Sequence, residues 1–339
     1  TNVSDQVSGG RLGGLLKVRQ ELIDPVFNEL GRLSMAIADT FNTQHRLGMD
    51  SNSNLGNDFF NDINDPTMMS ARIASNSTNV GDAGISVAVD DVGKLKATSY
   101  SMKFDGTNIN LSDSSTGQLI ASFAPPAAPG SYSLPEEGIT LNFDSGTLAT
   151  GDTFMVAPTR LFSSEIGVRI NSIDQIAAAS PVRTTMPLTN TGRGYIENVE
   201  VTETTDPVTG TAFTGARSVP AVLQLQPPYQ VVFTSDTTYD VYDVSGLSAV
   251  PPTASTLVSS GTYSPNQSNR LLAGAGITDT GYDVVFNGLP AKGDIVNIEY
   301  NGGGVADNRN VSLLGNLRTA KTILGNASYQ EAYAKLVSG

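Results

Sequence analysis

The sequence predicts an α+β multidomain protein: a helical domain formed by both chain ends, with two mainly-β domains inserted between them. Three observations carry this. Both ends show apolar residues spaced by three and four, the middle shows strict alternation, and the middle repeats itself. With 339 residues, the chain is also too long for one core, so two or three domains are expected.

The first helix is read from Leu22 onward. Ile23, Val26, Leu30, Leu33, Ile37 and Phe41 form one stripe. Asp24 before Pro25 reads either as an N-cap with proline at the first helical position or as a kink in a longer helix starting near Leu12. Gly48 and an Asn/Ser run end the pattern. Between Val80 and Val305 the period becomes two. ISVAVDD (85–91), YSMKF (100–104), ITLNF (139–143), YQVVF (229–233) and YDVVF (282–286) read as strands bounded by Gly, Pro, Asn and Asp. One short helix is expected at IDQIAAAS, capped by Ser172 and Gln175 and closed by Pro181. The coils APPAAPG (124–130) and VPPTAS (250–255) read as exposed loops.

The repetition is legible in letters. Tyr100–Phe104 aligns with Tyr229–Phe233. GITLNFDSGTLATGDTFMV (138–156) aligns with GYDVVFNGLPAKGDIVNIE (281–299), each copy carrying a Gly-Asp pair, Gly151–Asp152 and Gly293–Asp294. At the far end, Val311, Leu314, Leu317, Ala320 and Leu324 read as a second helical stripe stopped by Gly325. Ser328 and Glu331 then form a capping box, opening a helix with Tyr329, Tyr333, Leu336 and Val337 on one face. That pattern still runs at Gly339, and the first residues carry no start signal, so a longer polypeptide is expected around this one. The expected domains are 1–76 plus 306–339 (helical), 77–180 (first β-rich) and 181–305 (second, outer β-rich).

Composition removes several function classes. Lys and Arg total 20 against 33 Asp and Glu, a net charge of −13, with no basic cluster to displace phosphate counterions, so nucleic acid is not an expected partner. No apolar run approaches the roughly 20 residues of a membrane span. No cleaved signal peptide is recognisable. There is no cysteine and one histidine, which excludes thiolate chemistry and most zinc sites.

Each candidate site has a plain structural reading beside it. Asp50, Asn52 and Asn54 occupy the first, third and fifth positions of a calcium loop. Leu55 stands where glycine belongs and Asn61 where the bidentate Glu belongs, so a turn-rich loop anchored by Phe59 and Phe60 is the reading. His45 has no second histidine and no base beside it and reads as a hydrogen-bonded or surface side chain. Gly9-Gly10 and Gly13-Gly14 lack the strand and Gly-Lys-Ser/Thr of a phosphate loop and read as close helix approach or a flexible lead-in. Asp240 and Asp243, three apart on a strand, fall on opposite faces and read as solvated edge residues. The apolar stripes are mostly core. Part of them, Leu22, Ile23, Val26 and Leu30 with Leu317, Ala320 and Leu324, is the candidate for packing between subunits.

The ends carry a resemblance. Gly10 through Leu15, Asp24–Pro25, Asn28 through Leu33, Phe41–Asn42, His45, Gly48 and Phe59–Phe60 resemble the inner helical segment of the flagellar hook-associated protein 1 family. GGGVADNRNVSLLGNL (302–317) and GNASYQEAYAKLVSG (325–339) resemble its Asp-Asn-Arg-Asn and Tyr-x-x-Leu-Val segments, and GDTFMVAPTR and IAAASP its β-domain edges. The centre matches in layout more than in letters. The resemblance implies a structural, non-enzymatic component joining hook to filament and templating filament assembly, outside the cell on the bacterial flagellum. It implies export without a cleaved signal peptide, and self-association in a ring. Hook protein, the second junction protein and an export chaperone that acts through segments outside this sequence are the implied partners. No cofactor or metal is implied. Another flagellar axial protein, such as hook protein or the second junction protein, is the nearest alternative. An adhesin or glycan-binding β-domain protein stands further off. A hydrolase lacks a credible nucleophile–base pair.

Overall fold

Proline chemistry shapes the start of the chain. The structure, a computed structural model, describes residues 10–204, 228–244, 255–278, 280–302, 304, 306–323 and 326–338. Helix α1 (Gly10–Val18) runs into a π turn, Arg19–Ile23, and on into α2 (Asp24–Arg46). Of the two readings at Asp24–Pro25, the longer helix is the one formed. Pro25 offers no N–H to the carbonyl four residues back, and Asp24 donates instead to Arg19 O, five back. The widened turn absorbs the bond that proline cannot make.

Next come α3 (Pro66–Ala71), capped by Asp65, and β1 (Ile73–Ser75). They are followed by β2 (Gly84–Val89), β3 (Tyr100–Phe104), β4 (Ile109–Asp113), β5 (Leu119–Phe123), β6 (Gly130–Leu134), β7 (Ile139–Ser145), β8 (Thr153–Val156) and α4 (Phe162–Glu165). The later strands are β9 (Val182–Thr185), β10 (Tyr195–Val201), β11 (Tyr229–Phe233), β12 (Thr238–Asp243), β13 (Thr256–Thr262) and β14 (Asn269–Arg270). Then come α5 (Leu271–Gly274), β15 (Tyr282–Asn287), β16 (Ile295–Tyr300), α6 (Arg309–Asn316) and α7 (Tyr329–Ser338). The five alternating segments are all strands, and the 124–130 coil is the largely exposed β5–β6 connection. The 250–254 part of the second coil lies outside the described residues.

The chain falls into two compact units. One takes the chain up to Asn42, Asp58–Arg169 and everything from Asn316; the other takes Thr43–Asn57 and Ile170–Gly315. The first of these units takes in helical segments from both ends of the chain together with sheets. In the first unit Leu33, Met35, Ala36 and Ala38 of α2, with Ile323 and Ala332, share one core with Val87, Tyr100, Ile109 and Leu141 of the sheets. Apolar helix faces bury against the nearest apolar sheet face, whatever their distance in sequence. The second unit has a separate core, including Tyr229, Val231, Phe233, Tyr239, Val284, Phe286 and Val296.

The duplication holds strand for strand. The first unit contains sheets β1-β8-β3-β4-β5 and β2-β7-β6, and the second contains β9-β16-β11-β12-β13 and β10-β15-β14, all antiparallel. The shared Gly-Asp pair sits at the same joint in each copy. Gly151 and Gly293 have φ of +96° and +92°, which suits glycine. Asp152 and Asp294 are buried acceptors. Asp152 takes the N–H groups of Val80 (2.9 Å), Gly81 (3.2 Å) and Ala149 (2.8 Å). Asp294 takes those of Thr191 (2.8 Å), Gly192 (3.0 Å) and Ala291 (2.9 Å). Asn79 and Asn190 brace the following strand alike, each bonding both backbone groups of one residue, Thr153 and Ile295.

Four expectations need correction. The helix at IDQIAAAS is a single 3-10 turn, Ile173–Gln175, capped by Ser172. Beyond it, Ala177 N–H goes to His45 and Ala179 bridges to Met49, so tertiary partners take the backbone groups that a helix would use. The stripe Val311–Leu324 is not one helix. α6 ends at Asn316, after Gly315, and Leu317 and Ala320 sit in the turns beyond. In α7 the capping box forms as expected, but Ala332 is the buried residue while Tyr333 and Val337 are exposed. Asp240 and Asp243 are not on an edge, because β12 lies between β11 and β13 and Asp240 accepts from Ser260 Oγ at 2.6 Å.

Candidate packing surface

His45 is fully buried. Ala177 donates its N–H to Nε2 at 2.9 Å, which requires that nitrogen to be unprotonated. Nδ1 therefore carries the proton and donates to Asn57 O at 2.6 Å. Both ring nitrogens are engaged by backbone, so the side chain works as a clasp between segments.

The loop after it is built the same way. Asp50 is buried and accepts from Asn52 N–H (2.9 Å), Asn54 N–H (2.8 Å) and Asn54 Nδ2 (3.2 Å), folding a turn around its own carboxylate. Those donors occupy the oxygens that a calcium ion would need. Among the described residues no group of three or more His, Asp or Glu could hold a metal ion. In the first unit, Asn42 accepts from the N–H groups of Phe59 and Phe60 and donates to Phe60 O. The rings of Phe41, Phe59 and Phe60 pack with centroids 4.8–5.4 Å apart.

Of the glycine run, Gly10 to Gly14 lie in α1, and a Cβ on Gly14 would meet nothing within 4 Å. Close approach is found instead at Gly31, where a Cβ would lie 1.8 Å from Thr159 O. Gly31 was not singled out by sequence, because its partner is over a hundred positions away.

The apolar face is the remaining feature. Leu22 (63% exposed), Ile23 (43%) and Val26 (49%) are open to solvent, and Leu30 is half-buried. Leu12, Leu15, Val18 and Phe27 extend the exposed run along α1 and α2. Leu12, Leu15 and Val18 lie upstream of Leu22 in the longer helix that is one of the two readings of the sequence. Leu317 and Ala320 are half-buried, and Leu324 lies outside the described residues. The helix is held to the first unit by Asp24, which pairs with Arg160 at 2.6 Å and lies 3.7 Å from Arg19. No helix among the described residues is long and apolar enough to cross a membrane.

Known proteins are similar to this chain in sequence and fold. The helical-domain family of flagellar hook-associated protein FlgK matches residues 1–60, and the D2-like domain family of flagellar hook-associated protein 1 matches residues 74–158. The chain is 33% identical over 171 residues to flagellar hook-associated protein 1 of Escherichia coli (strain K12), covering 50% of this chain and 29% of that protein. It is 32% identical over 172 residues to the same protein of Salmonella typhimurium, with the same coverage. The aligned region is thus less than a third of these curated relatives' length. A solved structure, the flagellar hook junction protein FlgK from Burkholderia pseudomallei, covers 99% of this chain at a TM-score of 0.74 and 27% identity, over 58% of its own length. Two matched domain families, curated relatives and a solved structure thus agree that the chain is similar to flagellar hook-associated protein 1.

Proposed function

We propose that the chain is a rigid structural segment of a hook–filament junction protein, located on the flagellum outside the cell. The observation that carries this is the fold shared with a flagellar hook junction protein across 99% of the chain. Its work is geometric: rigid subunits with different faces adapt one polymer to the next. Hook protein and the second junction protein are the proposed neighbours, with self-association in a ring and export aided by a chaperone. The sheet-rich spans 77–180 and 181–305 are proposed as the two inserted modules, a reading supported by the strand order they repeat.

The proposed packing residues are Leu22, Ile23, Val26 and Leu30, with Leu317, Ala320 and Leu324 as further candidates. Exposed apolar residues gathered on one helix are the pattern an interface needs. Covering Leu22, Ile23 and Val26 contributes roughly 2 kcal/mol each before ordering costs.

The test uses the full-length protein in a motile bacterium. Deleting the gene is expected to leave hooks without filaments and to release flagellin into the medium. A deletion strain with normal filaments excludes the junction role. Restoring the gene with Leu22→Asp and Val26→Asp together is expected to leave filaments unattached. Normal filaments in that strain remove the packing face but not the junction role.

A further inference from the structure

The two copies of the β module treat one sheet edge differently. β2 and β10 are equivalent: Val89 pairs with Ile139 and Val201 with Tyr282, and Ile139 and Tyr282 align in the repeat. In the first copy Asp90 N–H bonds to Gly138 O, and in the second Thr202 N–H bonds to Gly281 O. This fixes which groups face outward, because they alternate along an antiparallel strand. Val87 and Val89 in one copy, and Val199 and Val201 in the other, present their N–H and C=O away from the sheet.

In the first copy side chains close that edge. Asn64 accepts from Val89 N–H at 2.9 Å and donates to Val89 O at 2.8 Å, and Arg72 donates to Val87 O at 2.8 Å. Arg72 is buried for this purpose, which lowers its pKa to about 10 through desolvation, against the pull of Asp62. In the second copy the equivalent lead-in segment is diverted, with Ala177 bound to His45 and Ala179 to Met49. Among the described residues no donor or acceptor meets the outward groups of Val199 or Val201. A cavity of about 240 Å³ lies beside them instead, lined also by Gln44, Leu47, Asn308 and Leu313.

We propose that the outer edge of β10 accepts an extended peptide segment of a partner protein, neutral or basic in charge, as an added strand. Four backbone groups in register, without a partner among the described residues, supply the hydrogen bonds of strand addition. Leu47 and Leu313 supply apolar contact for alternate side chains beside Val199 and Val201, which are partly buried against the core of the unit, and the Gln44 and Asn308 amides supply polar contact for the others. Glu200 is paired with Arg270 at 2.7 Å, and Arg309, which also lines the cavity, with Asp307 at 2.6 Å, so Glu197 on the strand and a net charge of −13 set the sign of the partner. The proposal stands on the unequal edges of the two copies and not on the junction role.

Amide hydrogen exchange on the 339-residue chain tests it first. In the free protein, Val199 and Val201 N–H are expected to exchange on the order of tenfold or more faster than Val89 N–H, which Asn64 holds. Equal protection means the edge is already closed and overturns the proposal. The second step adds a short synthetic peptide that alternates valine with threonine and lysine. It is expected to slow exchange at Val199 and Val201 and to shift the amides from Asn198 to Val201. The same peptide N-methylated at alternate nitrogens, or with glutamate for lysine, is expected not to bind. Val199→Pro removes one outward N–H without touching a β10–β15 bond, as edge strands tolerate. It is expected to weaken binding by ~10-fold or more. Absence of binding by the unmodified peptide, binding that shifts other residues, or equal binding of the N-methylated peptide each overturns the proposal.

Discussion

His45 and Gly31 show how single positions hold this chain in place by serving backbone. Replacing His45 with leucine fills similar space but leaves Ala177 N–H and Asn57 O buried without partners. The cost is about 3 kcal/mol, because each abandoned group forfeits its hydration as well as its bond. Denaturant unfolding of His45→Leu is expected to show that loss, and an unchanged midpoint refutes the clasp. Gly31→Ala places a methyl carbon inside the Thr159 carbonyl, and neither backbone can yield cheaply. The expected loss is about 3 kcal/mol, the upper range of overpacking. Gly14→Ala is the control: its Cβ meets nothing within 4 Å, so thermal unfolding is expected at the same temperature or higher. Sequence left His45 as either a hydrogen-bonded or a surface residue and could not name its partners, since Ala177 becomes a neighbour only through the fold. Gly31 gave no local signal, sitting mid-helix where glycine is otherwise a cost.

At the scale of elements, period and turn chemistry located the strands, and long-range bonds decided what lay between them. The five alternating segments appear where alternation placed them, because one face of each is buried and a shifted register would expose it. IDQIAAAS has helical composition, yet His45 and Met49 draw its backbone into bridges. The Gly-Asp pairs were legible as repeats, but not the Asn79–Gly81 and Asn190–Gly192 segments that meet them, which lie more than seventy positions away. These joints make a paired prediction. Asp152→Ala strands the N–H groups of Val80, Gly81 and Ala149; Asp294→Ala strands those of Thr191, Gly192 and Ala291. Each substitution is expected to cost about 3 kcal/mol, the scale of charge-assisted bonds to buried donors. Hydrogen exchange is expected to rise in β7 and β8 for Asp152→Ala and in β15 and β16 for Asp294→Ala. A loss spread evenly over both copies refutes equivalent, locally acting joints.

The whole molecule carries thirteen more negative than positive charges, and its response to pH depends on where the carboxylates are spent. Burial alone would raise the Asp113 and Asp152 carboxyls. Donors outweigh it: Ser115, Thr116 and Thr98 at Asp113, and Ala149, Val80 and Gly81 at Asp152, so both sit below the usual 3.8. Backbone bonds from Thr147 and from Asn108 and Thr107 lower Asp82 and Asp105 on the surface. These four lie in the first unit. In the second, Asp307 is lowered against its own burial, chiefly by Arg309. A carboxyl whose folded pKa lies below its unfolded one stabilises at pH above the unfolded value, and the gain is lost as pH falls through the folded one. Stability from these groups is therefore constant above about pH 5 and declines below about 4. Relief of general repulsion on acidification acts over the whole surface and does not distinguish the units, whereas the carboxylates with lowered pKa do. At the alkaline end, burial, with Asp50 as a lesser cause, pushes Tyr300 up to about 12, and burial with Tyr195 does the same for Tyr263. Their neutral forms favour folding below pH 10, and that stability is lost between 10 and 12. Both tyrosines are in the second unit; they donate to Ser53 O at 2.6 Å and Gly288 O at 3.0 Å. Exchange protection measured against pH is thus expected to fall first in β7 and β8 on acidification below 4. Absorbance at the tyrosinate band is expected to show late ionisation of Tyr263 and Tyr300, accompanied by loss of protection in β15 and β16. If acid opens the second unit before the first, the excess of carboxylates with lowered pKa in the first unit does not govern the acid limit of this fold.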